Sequence, residues 1–253
     1  MPLNFVEIMK AGTFPALEGK IHHFHQVGST MDVARELARK GAAEGTVVVA
    51  ERQTRGRGRL NRQWHSPPGG IYLTIILRPK ITPVYAPRLS LMASVAVANT
   101  IRELFGLDAR LKWPNDVLIG GKKVCGILAE MDAGTDTVNF VNLGLGVNAN
   151  STISQFESAT SLRDELGKSI SRKEFLASLL EEISRQYALL TEPELLERWR
   201  SLSATLNRRV KVTTRSEVIE GQAVDIEDTG ALLVRDCDGM VRAVLAGDCV
   251  HLR

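Results

Sequence analysis

Arginines and glycines are concentrated in one short stretch, QTRGRGRLNRQWHSPPGG, which spans residues 53–70 and is called the arginine loop below. The chain has 32 basic and 29 acidic residues and a net charge of +3. Five arginines lie in this loop or directly before it: Arg52, Arg55, Arg57, Arg59 and Arg62. Without them the remainder would carry a net charge of −2. The positive surplus is local, which favours an anionic ligand at one place over a basic coat on the whole surface.

The residue types of the arginine loop suit the binding of phosphate or carboxylate groups. Arginine presents a planar, permanently charged fork to the oxygens of such groups. Gly56 and Gly58 allow the backbone to bend and approach a ligand closely, and Trp64 could stack on a flat ring. A solvated basic loop is the alternative. The stretch lies between two apolar strand-like runs, however, and ligand sites concentrate in loops held by a rigid scaffold.

Two other polar features lie at the ends of strand-like runs. The KWPND segment spans residues 112–116, and its proline and Asn-Asp pair are typical of a turn. A turn does not explain Lys112 and Trp113, which open the segment. Lys123 opens the strand-like KVCGIL run, so its side chain could point back into a site. A solvent-exposed turn lysine is the simpler alternative for Lys123.

The glycines of GLGVNAN need a separate test. Gly144, Gly146 and Ala149 fit the GxGxxA pattern of a dinucleotide fingerprint, which requires a helix to begin at that point. The residues that follow, NANSTISQF, do not read as a helix start. We therefore expect the glycines to let a ligand or a neighbouring strand approach, and Asn148 to be free to hydrogen-bond the edge of a ring.

Alternating strand-like and helical patterns predict the framework that positions these residues. Strands are expected at 21–27, 46–51, 71–78, 109–114 and 137–150, with a hairpin around a Gly-Gly turn at 116–131. Helices are expected at 33–40, 87–105, 161–167, 171–190 and 193–200. Ser29 and Asp32 resemble a capping box for the first helix, and Gly106 is the expected end of the second.

The pattern changes after Leu206 to short strands separated by turns, which is typical of a small all-β barrel. The sequence therefore predicts a larger domain over residues 1–205 and a smaller one over residues 206–253.

Composition disfavours several classes of protein. No apolar run approaches the ~18–20 residues of a membrane span, and the N-terminus lacks the apolar core of a secretory signal. Cys125, Cys237 and Cys249 are odd in number and have no CxxC spacing. We therefore expect a cytoplasmic protein without a membrane partner, a disulfide framework or a zinc site.

The segments GRGRLNRQWHSPPGG, KWPND, KVCGILAE and GLGVNAN, in this order and at these intervals, resemble the motifs of biotin–protein ligases, which biotinylate acetyl-CoA carboxylase. The resemblance covers nearly the whole chain. It implies an α+β fold, with a mixed or antiparallel sheet and flanking helices as in class II synthetase-like catalytic domains. It also implies a small C-terminal SH3-like β barrel.

The same resemblance implies the substrates and partners. Biotin and ATP would be used with Mg²⁺, and the acceptor would be a lysine of a biotin carboxyl carrier protein. Bifunctional members carry an N-terminal helix-turn-helix domain, and only about twenty residues precede the first predicted strand here, which is too few for it. We therefore expect the short, monofunctional kind, without DNA binding and as a monomer or homodimer.

The reaction implied by the resemblance has two steps. The biotin carboxylate attacks the α-phosphate of ATP to give biotinyl-5′-AMP and pyrophosphate, and the carrier lysine then attacks the mixed anhydride. The implied catalytic residues are Arg57, Arg59 and Lys123. The implied biotin-binding residues are Ser29, Thr30, Met31, Gln53, Gly56, Arg57, Gly58, Arg59, Lys123 and Gly126. The implied ATP- and adenylate-binding residues are Arg59, Arg62, Trp64, Lys112, Asn115, Asp116, Asn148 and Arg253.

Within these sets, Ser29 and Thr30 would bond the ureido ring, and Lys123 would neutralise the carboxylate and phosphate oxygens. The arginine loop is expected to be mobile when empty and to fold over biotin. Two departures from the family pattern stand out. Met31 replaces a frequent asparagine, so position 31 would act through backbone or packing. Leu60 and Asn61 replace more polar, glycine-containing residues, which puts the dynamics of the loop in question.

Two other functions fit parts of the sequence. A lipoate–protein ligase shares the fold and the acyl-adenylate chemistry, but the Arg-Gly loop with KWPND and KVCGIL favours biotin. A non-catalytic nucleic-acid-binding module could use the arginine loop and the small barrel. The barrel has few aromatic residues for stacking on bases, however, and carries several acidic residues.

Overall fold

The computed structural model describes residues 19–153 and 155–252, and its larger sheet has seven strands. These are β1 (Ile21–Val27), β2 (Val47–Gln53), β3 (Ile71–Leu77), β4 (Ala109–Lys112), β5 (Asp116–Ile119), β6 (Lys122–Ala133) and β7 (Val138–Val147). Their order is β1-β2-β3-β7-β6-β5-β4. Strands β1 and β2 are parallel, and the other neighbours are antiparallel. The sheet is therefore mixed, as predicted.

Helices cover both faces of this sheet. They are α1 (Thr30–Arg39), α2 (Pro87–Phe105), α3 (Leu162–Leu166), α4 (Arg172–Tyr187) and α5 (Pro193–Leu202). Successive strand residues point to opposite faces, and two cores result. Val48 and Ile76 pack with α1, whereas Val49 and Ile75 belong to the core around α2. Helix α2 lies between the sheet and helices α4 and α5, which explains its nearly continuous apolar sequence.

The predicted helix ends reflect local chemistry. Ser29 caps α1, and its hydroxyl oxygen accepts a hydrogen bond from the Met31 amide at 3.3 Å. Helix α2 ends at Gly106, whose φ of 66° lies in the left-handed region where glycine has no Cβ penalty. Both predicted boundaries are confirmed. Within residues 19–153 and 155–252, none of the helices combines the length and apolar character of a membrane-spanning segment.

A separate antiparallel sheet, called the small sheet below, forms the C-terminal part of the chain. Its strands are β8 (Arg209–Thr213), β9 (Val218–Ile226), β10 (Leu232–Arg235), β11 (Val241–Val244) and β12 (Asp248–His251). Their order is β11-β10-β9-β8-β12. The mixed sheet with flanking helices and this small all-β unit together confirm the predicted α+β class.

Trp113 of the KWPND segment connects the two sheets. Its side chain is buried, its backbone amide donates to Thr205 Oγ1 at 3.0 Å, and its indole N–H donates to the Gly230 carbonyl at 3.2 Å. Thr205 Oγ1 also lies 3.0 Å from His251 Nε2. Burial, with the nearby positive charges of Lys112 and Arg208, lowers the pKa of His251 to about 4. The junction holds β12 close to the arginine loop.

Candidate active site

A cavity of about 270 Å³ lies on the α1 side of the larger sheet, between the arginine loop and strands β6 and β7. Among the described residues, all the predicted site residues line this cavity except Ser29, Gly56 and Lys112. Arg253 lies outside the described residues. The fold thus brings segments from residues 30 to 148 to one place.

One end of the cavity is polar and internally hydrogen-bonded. The backbone amide of Thr30 donates to Gln53 Oε1 at 2.8 Å, and Thr30 Oγ1 donates to the same oxygen at 3.1 Å. Thr74 Oγ1 donates to Thr30 Oγ1 at 2.8 Å, and Gln53 Nε2 donates to Ser66 Oγ at 3.0 Å. These bonds fix the donors and acceptors at this end of the cavity, which favours a small polar ring there.

The floor of the cavity is formed by glycines of β6 and β7. Gly126 pairs with Gly146 across the two strands. A Cβ on Gly146 would lie 2.4 Å from Trp64 Nε1, and one on Gly126 would lie 2.8 Å from Trp64 Cζ3. A Cβ on Gly144 would lie 2.6 Å from Met31 Sδ. The side chains that approach these glycines are the indole of Trp64 and the thioether of Met31. The expected approach of a ligand to them stays a prediction.

The arginine loop forms a short hairpin above this floor. The Gly58 amide donates to the Arg62 carbonyl at 2.8 Å, and the Trp64 amide donates to the Gly56 carbonyl at 2.9 Å. A turn at Arg59–Asn61 closes the hairpin. Leu60 and Asn61 both adopt left-handed conformations, with φ of 54° and 58°. Left-handed backbone is tolerated by asparagine but strained for leucine, so one departure noted in the sequence falls at a strained position.

Two cations face the cavity in different electrostatic settings. Lys123 Nζ lies 2.6 Å from Asp116 Oδ1 and 5.2 Å from the centroid of the Trp64 ring. Arg59 donates to Asn115 Oδ1 at 3.2 Å and to the Gly247 carbonyl at 3.1 Å, both neutral oxygens. Burial lowers the pKa of Arg59, but a guanidinium stays protonated in proteins. Arg59 therefore keeps a charge that an anionic ligand can use.

Arg62 connects the arginine loop to the small sheet. Its guanidinium makes a two-point contact with the Asp248 carboxylate, at 3.1 and 2.6 Å. This hydrogen bonding raises the pKa of Arg62 and lowers that of Asp248. Asp248 also lines the cavity, yet sequence reasoning missed it, because its position depends on how the small sheet packs at Trp113.

Arg57, which also lines the cavity, pairs with carboxylates of α1 and β6. Its Nη1 donates to Asp32 Oδ1 at 2.8 Å, and its Nη2 donates to Glu130 Oε1. Asp32 was expected in a capping box, but its carboxylate faces Arg57. Glu130 was not singled out from the sequence at all. Glu130 belongs to the KVCGILAE segment and lies on the same strand face as Gly126, four residues further along β6. This alternation is the signal that could have found it.

Asn115 and Asn148 line the cavity through side chains that the backbone holds in place. Asn115 Nδ2 donates to the Ile127 carbonyl at 2.6 Å, and Asn148 Nδ2 donates to the Thr160 carbonyl at 3.1 Å. The indole nitrogen of Trp64 is buried and has no hydrogen-bond partner among residues 19–153 and 155–252. A buried donor without a partner is costly, so an acceptor atom on a ligand would stabilise it.

The comparisons with known proteins agree with this geometry. Residues 23–148 match the Biotin/lipoate A/B protein ligase family, and residues 205–252 match the Biotin protein ligase C terminal domain. The chain is 40% identical over 229 residues to the bifunctional ligase/repressor BirA of Bacillus subtilis, covering 86% of this chain and 70% of that protein. It is 36% identical over 238 residues to the biotin–[acetyl-CoA-carboxylase] ligase of Mycobacterium tuberculosis, covering 90% and 87%.

A solved structure of biotin protein ligase from Aquifex aeolicus, in complex with biotin and ATP, superposes with a TM-score of 0.78 at 30% identity. The superposition covers 92% of this chain and 99% of that chain. Both parts of the fold are thus matched by proteins of one kind. The chain belongs to the biotin protein ligases of the biotin/lipoate A/B protein ligase family.

Proposed function

We propose that this protein activates biotin with ATP as biotinyl-5′-AMP and transfers the biotinyl group to a lysine of the carrier protein of acetyl-CoA carboxylase. The observation that carries the proposal is one cavity with a hydrogen-bonded polar end at Thr30 and Gln53 and two cations, Arg59 and Lys123, beyond it. Biotin offers complementary groups in the same order: a bicyclic ureido ring for the polar end and an acidic tail for the two cations. The Mycobacterium tuberculosis relative is named for this activity.

The first step must bring a carboxylate and a phosphate together. Two unit charges ~4 Å apart repel by about 4 kcal/mol at an effective dielectric of ~20, and about 1.4 kcal/mol is a factor of ten in rate. Arg59 holds a charge bonded only to neutral oxygens, and Lys123 can exchange Asp116 for a ligand oxygen. We assign these two residues to the reacting carboxylate and phosphate.

The biotin and nucleotide ends follow from the lining of the cavity. Thr30 and Gln53 would bind the ureido ring, and Met31 would pack beside it from the glycine floor. Ser29 and Gly56 would support this end from just outside the lining. For Arg57, a direct contact with biotin stays a prediction, because its side chain is paired with two carboxylates.

The adenylate would lie near Trp64, whose unpartnered indole N–H can donate to it. Asn115 and Asn148, which line the cavity, and Arg62 would complete this side. Roles for Lys112, Asp116 and Arg253 in nucleotide binding stay predictions.

For Mg²⁺, the described part of the chain offers no dedicated cage. No group of three or more His, Cys, Asp or Glu side chains within residues 19–153 and 155–252 could hold a metal ion. The carboxylates at the cavity, Asp116 and Asp248, are both ion-paired. We therefore propose that Mg²⁺ would enter on the phosphates of ATP, as it commonly does, and we assign it no protein ligands.

The remaining features of the proposal concern the whole molecule. A division into residues 1–205 and 206–253 is supported by the start of β8 at Arg209 and by the C-terminal family match to residues 205–252. A cytoplasmic location stays a prediction from the composition, and the absence of DNA binding and a monomer or homodimer stay predictions from the resemblance.

The test is ATP–pyrophosphate exchange, measured with biotin and, in parallel, with lipoate. We expect exchange with biotin and none with lipoate. Exchange with lipoate alone would transfer the proposal to the lipoate ligases of the same family, and no exchange with either would reject it. When an arginine of the loop such as Arg59 is replaced in this assay, Arg52→Ala is the matched control, because Arg52 is exposed and does not line the cavity.

A further inference from the structure

Four charged side chains form a closed network at the inner edge of the arginine loop. Arg57 contacts Asp32 and Glu130, as described above. Arg35 of α1 donates to the second oxygen of Glu130 at 2.5 Å and lies 3.7 Å from Asp32. Two cations and two anions alternate, so the network is neutral overall. It ties the loop to α1 through Asp32 and to β6 through Glu130.

This setting separates Arg57 from Arg59, two residues along the same loop. The two partners of Arg59 are neutral oxygens, so its charge remains available. Arg57 is already neutralised by two carboxylates. A biotin carboxylate approaching Arg57 would have to displace one of them. Arg57 also lies between Gly56 and Gly58, so its side chain anchors the loop backbone where the flanking glycines allow the widest range of conformations.

We propose that Asp32 and Glu130 form a clasp that fastens the arginine loop over the cavity through Arg57. Arg57 is then a positioning residue that holds the loop in place, and Asp32 and Glu130 are the carboxylates that bind its guanidinium. This inference rests on the proposed function, because the loop is taken to cover biotin. Arg59 and Arg62 anchor the hairpin separately to Gly247 and Asp248. The clasp therefore secures the side of the hairpin that faces α1 and β6.

A clasp and a direct contact of Arg57 with biotin predict opposite changes in the biotin dissociation rate when the two carboxylates are removed. If Arg57 bound the biotin carboxylate, Asp32 and Glu130 would compete with the ligand, and their removal would strengthen biotin binding. If the three residues form a clasp, removal of the carboxylates loosens the loop and weakens biotin retention. The sign of the change in the biotin dissociation rate therefore decides between the two roles.

The experiment uses the full chain with Asp32→Asn, with Glu130→Gln and with both. Two rates are measured: trypsin cleavage within residues 53–62 of the ligand-free protein, and dissociation of labelled biotin. Arg57, Asp32 and Glu130 are 33%, 44% and 28% exposed, so each pair is partly screened by water. We expect both rates to rise about threefold in each single variant and about tenfold in the double variant.

Glu36→Gln is the matched control. Glu36 lies on the same helix and pairs with Lys40 at 2.6 Å, away from the loop. Its replacement should leave both rates unchanged. Neither this change nor the clasp variants alter a trypsin site, so cleavage rates compare directly. High salt should raise the wild-type cleavage rate towards that of the double variant, because screening weakens half-exposed ion pairs.

Two further readouts separate positioning from general damage. Arg57→Gln should raise the biotin dissociation rate in the wild-type background but add nothing in the double variant. In pyrophosphate exchange, the clasp variants should raise KM for biotin and leave kcat near the wild-type value, because the clasp residues do not touch the reacting atoms. A variant that simply misfolds would lose kcat as well.

Slower biotin dissociation in the double variant would overturn the proposal, as would wild-type rates of both cleavage and dissociation. A protein that binds no biotin would reject the proposed function instead. The cleavage rates of the ligand-free variants would then still test the clasp, because they are measured without biotin.

Discussion

The floor of the cavity and the arginine loop above it are built by different interactions. The floor belongs to β6 and β7, which pair continuously from Cys125 to Asp132 through backbone hydrogen bonds. The loop has backbone bonds of its own and to Val27 and Gly28, and ion pairs at Asp32, Glu130 and Asp248 tie its hairpin to the surrounding elements. A buried ladder fixes a shape, whereas half-exposed ion pairs contribute only about 0–1 kcal/mol each. The floor should therefore define which ligand fits, and the loop how long it stays.

The largest effects are expected at the two cations assigned to the reacting carboxylate and phosphate, one from each region. Lys123→Ala removes a charge fixed on β6, and Arg59→Ala removes one carried by the loop. Each should lower kcat of biotin-dependent pyrophosphate exchange by about 10²–10³, the usual loss when one preorganised charge-stabilising group is removed. Lys122→Ala is the control, since Lys122 is the exposed neighbour of Lys123. Equal losses in Lys122→Ala would show that the position of the charge does not matter.

A smaller effect is expected when the floor is filled. A Cβ at Gly146 would lie 2.4 Å from Trp64 Nε1, so Gly146→Ala should displace the indole. Overpacking of this kind costs about 1–3 kcal/mol, and we expect kcat/KM for ATP to fall roughly tenfold to a hundredfold. Gly134→Ala should be neutral, because its Cβ would meet only Thr137 Oγ1 at 3.8 Å. An unchanged kcat/KM for ATP in Gly146→Ala would show that the glycine floor does not determine which ligand fits.

Leu60→Gly is expected to lower the rate of trypsin cleavage in the ligand-free arginine loop about fivefold. Leu60 has φ 54°, and a left-handed residue other than glycine costs roughly 1–2 kcal/mol. Glycine should therefore favour the observed hairpin and slow trypsin cleavage of the ligand-free loop. Leu60→Ala keeps the Cβ and serves as the control. Equal protection by alanine would mean that the side chain, rather than the backbone conformation, sets the effect.

The smallest effect concerns the junction that supports the outer end of the loop. The folded-state pKa of His251 is lowered to about 4 by burial. A histidine with a lowered pKa contributes stability above its unfolded pKa of about 6.5, and this contribution is lost as pH falls towards 4. The unfolding temperature of the wild type should fall by a few degrees more than that of His251→Gln over this interval. Parallel pH profiles would exclude His251 from the junction.

The elements of this fold were largely predictable because their signals are local. Helix α2 begins at Pro87 and ends at Gly106, where proline at the first turn and glycine after the last are typical. The hairpin of β5 and β6 follows from the turn at Gly120 and Gly121, both of which have positive φ. Periodicity and turn chemistry act over a few residues, so a single sequence contains them.

The partners of the site residues were much less predictable. Arg57, Asp32 and Glu130 are separated by up to 98 positions in sequence, and only the packing of α1 on the sheet brings them together. Asp248 reaches Arg62 because Trp113 holds the small sheet in place. Motifs identified which side chains face the cavity, but pairing between charges depends on tertiary contacts that no local pattern contains.

The most direct test of the account is the complete reaction. Purified protein, biotin, ATP and an unmodified biotin carboxyl carrier domain should yield a carrier with one biotinyl group on one lysine, detected by intact mass and peptide mapping. Omission of ATP or replacement of the carrier lysine by arginine should abolish the product. A carrier that stays unmodified with the full mixture, while a characterised biotin ligase modifies it, would contradict the account.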